Sequence, residues 1–247
     1  MVTIGVSAVL AAAGMGVLRG SMEKAKLTRE IIAGRNLITA YQSAAVDNDG
    51  RFLPGMDYTV NSVWFEPDKK NITTIHVPHR YPYRLAPYFD YRLEGTILVN
   101  DNKKQINQVV AGEYGISTFP TFGMNYYFVG GLVTASGAVQ FPGDCVTRSG
   151  QGIRSVLVFA SGGSGAIDGY NILTPPRLYA QNWSAAAWSK SANPGNWGNV
   201  DARYDGKAVC VFLDGSVQLK TIQELRDMRL WSRMAAELDD PNYVIAP

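Results

Sequence analysis

Residues 1–18, MVTIGVSAVLAAAGMGVL, carry neither a charge nor a proline, and charged residues begin at Arg19. A bilayer core of about 30 Å takes roughly 17–25 apolar helical residues, so this run stands at the lower limit for spanning. Gly5, Ala8, Ala12 and Gly16 are small residues that suit close helix–helix packing. From Arg19 to Val46 there is again no proline, and Leu27, Ile31, Gly34, Ile38, Tyr41 and Ala45 step by alternating fours and threes. That spacing predicts one apolar helical face, with Lys24, Lys26, Arg29, Glu30 and Arg35 mostly off it. Asp47-Asn48-Asp49-Gly50, with Pro54 shortly after, predicts the stop. The whole segment 1–46 reads as one nearly continuous helix of about 70 Å, bent, if at all, near Gly14–Gly20 or Gly34. A secretory signal would want a basic stretch before the apolar run, and a core helix would not run on into a long polar one. A membrane anchor is the expectation.

After Gly50 the pattern changes to aromatics, glycines and β-branched residues. Strands are expected at Thr59–Phe65, Ile72–Val77, Glu94–Val99, Asn125–Val129, Val133–Ala135, Ile153–Ala160, Ala208–Leu213 and Ser216–Lys220. The last two form the clearest hairpin, with Asp214-Gly215 as a two-residue type I′ turn. Residues 161–169 read as a flexible loop and 180–200 as a long polar–aromatic one. Thr221 and Glu224 form a capping box that opens a helix running to about Leu238. The expected fold is α+β: a long N-terminal helix, apolar in its front half, packed on an antiparallel sheet head with a short C-terminal helix. It divides into a helix (1–46) and a head (47–247) with no linker inside the head.

Composition narrows the function. The chain has 247 residues and a formal net charge of +2, with no long basic run, so nothing points to nucleic acid. Cys145 and Cys210 are too few for a zinc knuckle and leave a single disulfide or two free thiols as alternatives. His76 and His79 flank Pro78, which excludes a helical histidine pair, and they read as loop residues. Asp47–Gly50 is not an EF-hand, because Ala45 and Met56 stand at the first and last ligand positions. Gly162-Gly163-Ser164-Gly165 is neither a nucleophile elbow nor a phosphate loop. Trp183, Trp188 and Trp197 are the candidates for stacking on a sugar or a partner protein. No catalytic constellation emerges, and no enzyme, cofactor or metal is expected.

The apolar helix followed by MEKAK, a polar helix and VDNDGRFLPG resembles the type IV pilins and type II secretion pseudopilins. Tyr204–Gly215 (YDGKAVCVFLDG), continued by SVQLKTIQELRDMRLW, resembles the C-terminal signature of a bacterial prepilin-like group: a histidine, nine residues, then Asp-Gly. FPTFGMNYY (119–127) and SVLVFASG (155–162) resemble further segments of that group. Tyr204 stands where the group has its histidine, so no role of that histidine transfers. No prepilin peptidase sequence precedes Val2, so no cleavage or methylation residue is named. Some pseudopilins bind calcium near the C-terminus, which here would draw on Asp201, Asp205 and Asp214. The resemblance implies a structural subunit of a pilus or type II secretion pseudopilus. Such a subunit sits in the inner membrane by a single pass, with its head in the periplasm or on an extracellular filament. Its partners would be copies of itself or other pilin-like subunits, and the secretion or pilus assembly machinery. The assembly residues would be Gly5, Ala8, Ala12, Gly16, Leu27, Ile31, Ile38 and Tyr41, with Asp214 and Gly215 shaping the head. The competing expectation is a membrane-anchored extracytoplasmic module that binds carbohydrate or protein through the tryptophan loop.

Overall fold

A computed structural model describes residues 2–151, 155–179 and 181–245, the side chains of residues 2–19 and 181 excepted. Helix α1 runs from Val2 to Asp47. The expected stripe is inward: Ile38, Tyr41 and Ala45 are buried, and Leu27 and Ile31 pack on the same core. The stop falls where the turn-forming residues stand. Gly50 N–H donates to Ala45 O at 2.8 Å, and Asp49 and Gly50 take the left-handed φ values of +52° and +77° that end a helix. Gly5, Ala8, Ala12 and Gly16, and with them the membrane anchor expected over residues 1–18, lie outside the described side chains. Among the described residues no helix is long and apolar enough to cross a membrane.

The strands are β1 (Met56–Asp57), β2 (Val63–Phe65), β3 (Lys70–Ile72), β4 (Phe122–Met124), β5 (Leu132–Val133), β6 (Leu157–Ser161), β7 (Arg177–Leu178), β8 (Gln181–Asn182), β9 (Lys207–Phe212) and β10 (Val217–Thr221). The head is organised by one antiparallel sheet in the order β10-β9-β6-β4. One face carries Phe122, Met124, Phe159, Val209 and Val211 against α1. The other carries Leu157, Ala160, Ala208, Cys210 and Phe212 against Trp183, Trp197, Trp231 and the C-terminal segment. Burial on both faces explains why β9 is apolar at nearly every position instead of alternating. Gly34 lets α1 approach this sheet: a Cβ there would stand 2.9 Å from Val211 Cγ2 and 3.4 Å from Phe122 Cζ. Alanine in a helix gains about 1 kcal/mol over glycine, whereas overpacking costs about 1–3 kcal/mol. Gly34→Leu is therefore expected to lower the urea midpoint, with a net loss of up to about 2 kcal/mol. A midpoint at or above that of the unaltered protein would show that α1 does not press on Val211.

Several expected elements are replaced. Glu94–Val99 is a sequence of turns, with Ile97 and Leu98 N–H both reaching Leu93 O at 2.9 Å. Ile97, Leu98 and Val99 are buried in succession, which a one-sided strand cannot do. Asn125–Val129 leaves the ladder because Asn125 Nδ2 donates across to Leu157 O and Trp231 O. Ile72–Val77 is strand only at Ile72. Three short helices were not expected: α2 (Tyr81–Leu85), α3 (Asn102–Val109) and α4 (Gly112–Thr118). The capping box is present, with Glu224 N–H donating to Thr221 Oγ1 at 3.2 Å and Thr221 N–H to Glu224 Oε2 at 2.8 Å. It opens only 3₁₀ turns at Glu224–Arg226 and Met228–Leu230, followed by α5 (Arg233–Glu237). The reason lies at Asp227 and Ser232, both extended and both capping the turn that follows them. Residues 161–169 are a packed loop and not an open one: Ser161 closes β6, and Ile167 is in the core.

The hairpin between β9 and β10 exists in the expected place with a different turn. Phe212 N–H donates to Ser216 O, and Gly215 N–H to Phe212 O, both at 2.9 Å, so Leu213-Asp214-Gly215 is a three-residue loop. Gly215 has φ +87°, whereas Asp214 stays out of the left-handed region that a type I′ turn requires. Asp214 instead accepts Ser216 N–H at 2.8 Å. Gly215→Val is expected to cost about 1–3 kcal/mol by forcing a β-branched residue to positive φ. Asp214→Asn keeps the acceptor and should stay within about 0.5 kcal/mol. Chemical denaturation of the two variants decides the point, and equal midpoints would contradict it.

Candidate functional site: the N-terminal helix and its buried carboxylate

The candidate site is α1 itself together with what holds it on the head. Its inner face is fastened at two levels. Near its C-terminal end Tyr41 stacks on Phe52 with centroids 5.5 Å apart, meets Phe159 edge-on, and donates its hydroxyl to Leu53 O at 2.9 Å. Gln42 Nε2 donates to Leu213 O at 2.9 Å, which ties the hairpin loop to α1. Asp214 and Gly215 thus shape a loop whose carbonyl holds the helix.

The second level is polar. Glu30 lies three residues after Leu27 and four before Gly34, inside the buried stripe and not off it, and is 0% exposed. Its carboxylate accepts Tyr204 OH at 2.6 Å and the Ser161 hydroxyl at 2.5 Å. Ser161 Oγ in turn accepts Val209 N–H at 2.9 Å, so α1, β6 and β9 meet at one carboxylate. Asn100 Nδ2 donates to Lys26 O at 3.2 Å, and Lys26 pairs with Asp101 at 2.9 Å, closing the outer edge of the same contact.

Arg203 stands beside this anchor. It donates to Asp168 O at 3.0 Å and to Gly162 O, and its Nε is 3.2 Å from Asp201 Oδ2. Burial works against its charge, but Glu30, Asp201 and Asp168 outweigh that and hold its pKa above the ordinary arginine value. Burial pushes the Asp201 carboxyl up despite Arg203. Burial first, then the Glu30 charge, push the Tyr204 phenol well up, so it acts as a neutral donor. Each polar atom of the Ser161–Glu30–Tyr204 group is occupied within the core. The arrangement fixes the rotation and axial register of α1 on β6 and β9. Tyr204→Phe removes one donor to a buried carboxylate and is expected to cost about 1.5–3 kcal/mol in denaturant titration.

The tryptophans separate. Trp183 and Trp197 are core residues, with Nε1 donating to Thr174 O and Ala185 O at 2.9 and 3.0 Å. That corrects their expected place on a recognition surface: their size recommends them for the second core as much as for stacking. Trp188 alone stays half-buried at the edge. Cys145 and Cys210 are buried free thiols, each pushed up by burial, Cys145 to about 12. His76 and His79 face one another outside the core, and burial, then His76 and the nearby arginines, lower the His79 pKa. Among the described residues no three His, Cys, Asp or Glu gather as a metal-binding group, and Asp201 is engaged with Arg203.

No protein-family model matches the chain, and no curated protein or solved structure matches it either.

Proposed function

We propose that this protein is a non-enzymatic structural subunit of a pilus or type II secretion pseudopilus, assembling through α1 with copies of itself or other pilin-like subunits. The observation that carries this reading is the outer face of α1. Its inner face is fully engaged by the head, yet Met22, Ile32 and Val46 stay 61%, 50% and 77% exposed. Ala25, Ile32, Thr39 and Val46, each seven residues from the next, form one exposed line along the helix. A line of that period is one of the two heptad positions along which helices pack side by side. The resemblance of MEKAK, VDNDGRFLPG and the C-terminal hairpin to the pilin class supports the same reading. In it, residues 1–18 supply the inner-membrane anchor and filament core, with small residues at Gly5, Ala8, Ala12 and Gly16. The head then stands in the periplasm or on the filament surface. The competing reading, an anchored carbohydrate- or protein-binding module, keeps one of its three tryptophans, Trp188.

Ile32→Asp tests the proposal. The side chain is exposed, so stability should change by less than about 0.5 kcal/mol. Filaments or multimers, seen by electron microscopy and sedimentation of the full-length protein, should disappear. Intact multimers in a folded Ile32→Asp protein would refute assembly through this face.

A further inference from the structure

We propose that His76 and His79 form a two-nitrogen site for a borderline divalent transition-metal ion, zinc foremost. Their Nδ1 atoms lie 3.4 Å apart. Two imidazole nitrogens at about 2.0–2.1 Å from one tetrahedral ion stand about 3.3–3.4 Å apart, whereas right-angle positions on an octahedral ion bring them to about 3.0 Å. The observed spacing is the tetrahedral bite. With one ring as donor and the other as acceptor, the same pair makes a long hydrogen bond in the absence of an ion, which keeps the two nitrogens facing each other.

The segment is built to hold that spacing. Val77 N–H closes a turn on Thr74 O at 2.9 Å, and Arg80 N–H a second turn on Val77 O at 3.2 Å. Between them His76 takes the left-handed φ of +63°, which swings its ring back toward His79. An ordinary residue adopts that conformation at a cost, and such strain gathers at functional positions. His79 is fixed more firmly. Its carbonyl accepts Asp57 N–H at 2.9 Å and Arg84 Nη2 at 2.8 Å, and its ring stands 5.0 Å from that of Tyr58. Pro78 and Val77 are buried beneath the pair, whereas the His76 ring reaches solvent. Imidazole nitrogen suits zinc, nickel and copper; calcium and magnesium require oxygen donors. No third His, Cys, Asp or Glu among the described residues completes the group, so the remaining coordination positions are open to solvent. Two histidines three apart around a proline carry no helical spacing, and only the two turns bring the nitrogens together.

The test is zinc titration of the full chain in competition with a chromogenic chelator, on the unaltered protein and on His76→Gln, His79→Gln and the double variant. One equivalent should bind, each single variant should weaken binding by about tenfold, and the double variant should abolish it. A Cys145→Ser, Cys210→Ser protein should bind as before, since both thiols are buried. Copper(II) bound to the unaltered chain should give an electron paramagnetic resonance spectrum with hyperfine coupling to two imidazole nitrogens, which does not depend on any variant folding. No zinc bound, zinc binding unchanged in the double variant, or a copper spectrum without imidazole nitrogen would each overturn the proposal.

Discussion

Glu30→Ala is expected to destabilise the protein by about 3–5 kcal/mol, the cost of breaking a buried charged group by removing one partner. Three consequences add. Tyr204 OH and Ser161 Oγ lose their acceptor, Arg203 loses one of the carboxylates that hold its charge, and a cavity opens between α1 and β9. Glu30→Gln keeps an acceptor oxygen and nearly the same volume but gives up the charge near Arg203, so it should fall between alanine and the unaltered protein. Urea unfolding followed by far-ultraviolet circular dichroism measures both. A loss below about 1 kcal/mol for alanine would mean that the carboxylate is not held as described.

The second large effect is expected at Trp197. Trp197→Ala should cost about 3–5 kcal/mol, the usual range for deleting a buried aromatic side chain. Its indole is enclosed by the second core, and its Nε1 caps Ala185 O. The neighbouring Gly198 has no room for a Cβ, which would stand 1.9 Å from Thr174 O, so the loop cannot collapse readily into the space. Trp188→Ala removes a half-buried ring and should cost much less, about 1 kcal/mol. The contrast separates packing from recognition. If Trp197→Ala left the unfolding curve in place while changing the binding of an oligosaccharide or protein, the loop would be a recognition surface and its burial misdescribed.

The long features of this fold are legible in the sequence, and the short ones are not. Leu27, Ile31, Ile38, Tyr41 and Ala45 repeat over enough turns for the helical period to declare the inner face of α1, and Asp47–Gly50 marks its end. The β9–β10 hairpin announces itself by an apolar run before Asp214-Gly215 and an alternating one after it. The turn type does not, because both a two-residue and a three-residue loop place a glycine at Gly215. Helices α2, α3 and α4 span five to eight residues, too few for a period to rise above the noise of individual residues. In α3 only Ile106 supplies a buried apolar anchor.

The candidate site divides in the same way. Ile31, Ile38 and Tyr41 stand where the pattern puts them, but Glu30, expected mostly off the apolar face, lies within it. Its spacing from Leu27 and Gly34 was the available signal, since a charge within an apolar stripe points to a buried partner. That partner is Tyr204 on the far side of the chain. The contact spans 174 residues, and no local pattern encodes it.

Assembly through α1 is tested most directly by photo-cross-linking from position 32 in cells that produce the full-length protein. With a benzophenone side chain in place of Ile32, the account predicts a ladder of adducts joined through α1 to copies of this chain or to other pilin-like subunits. The ladder should vanish when Ala25 and Thr39, on the same exposed line, are replaced by aspartate in a protein whose head still unfolds at its usual denaturant concentration. A folded, membrane-associated protein that yields no such adduct from position 32 would contradict it.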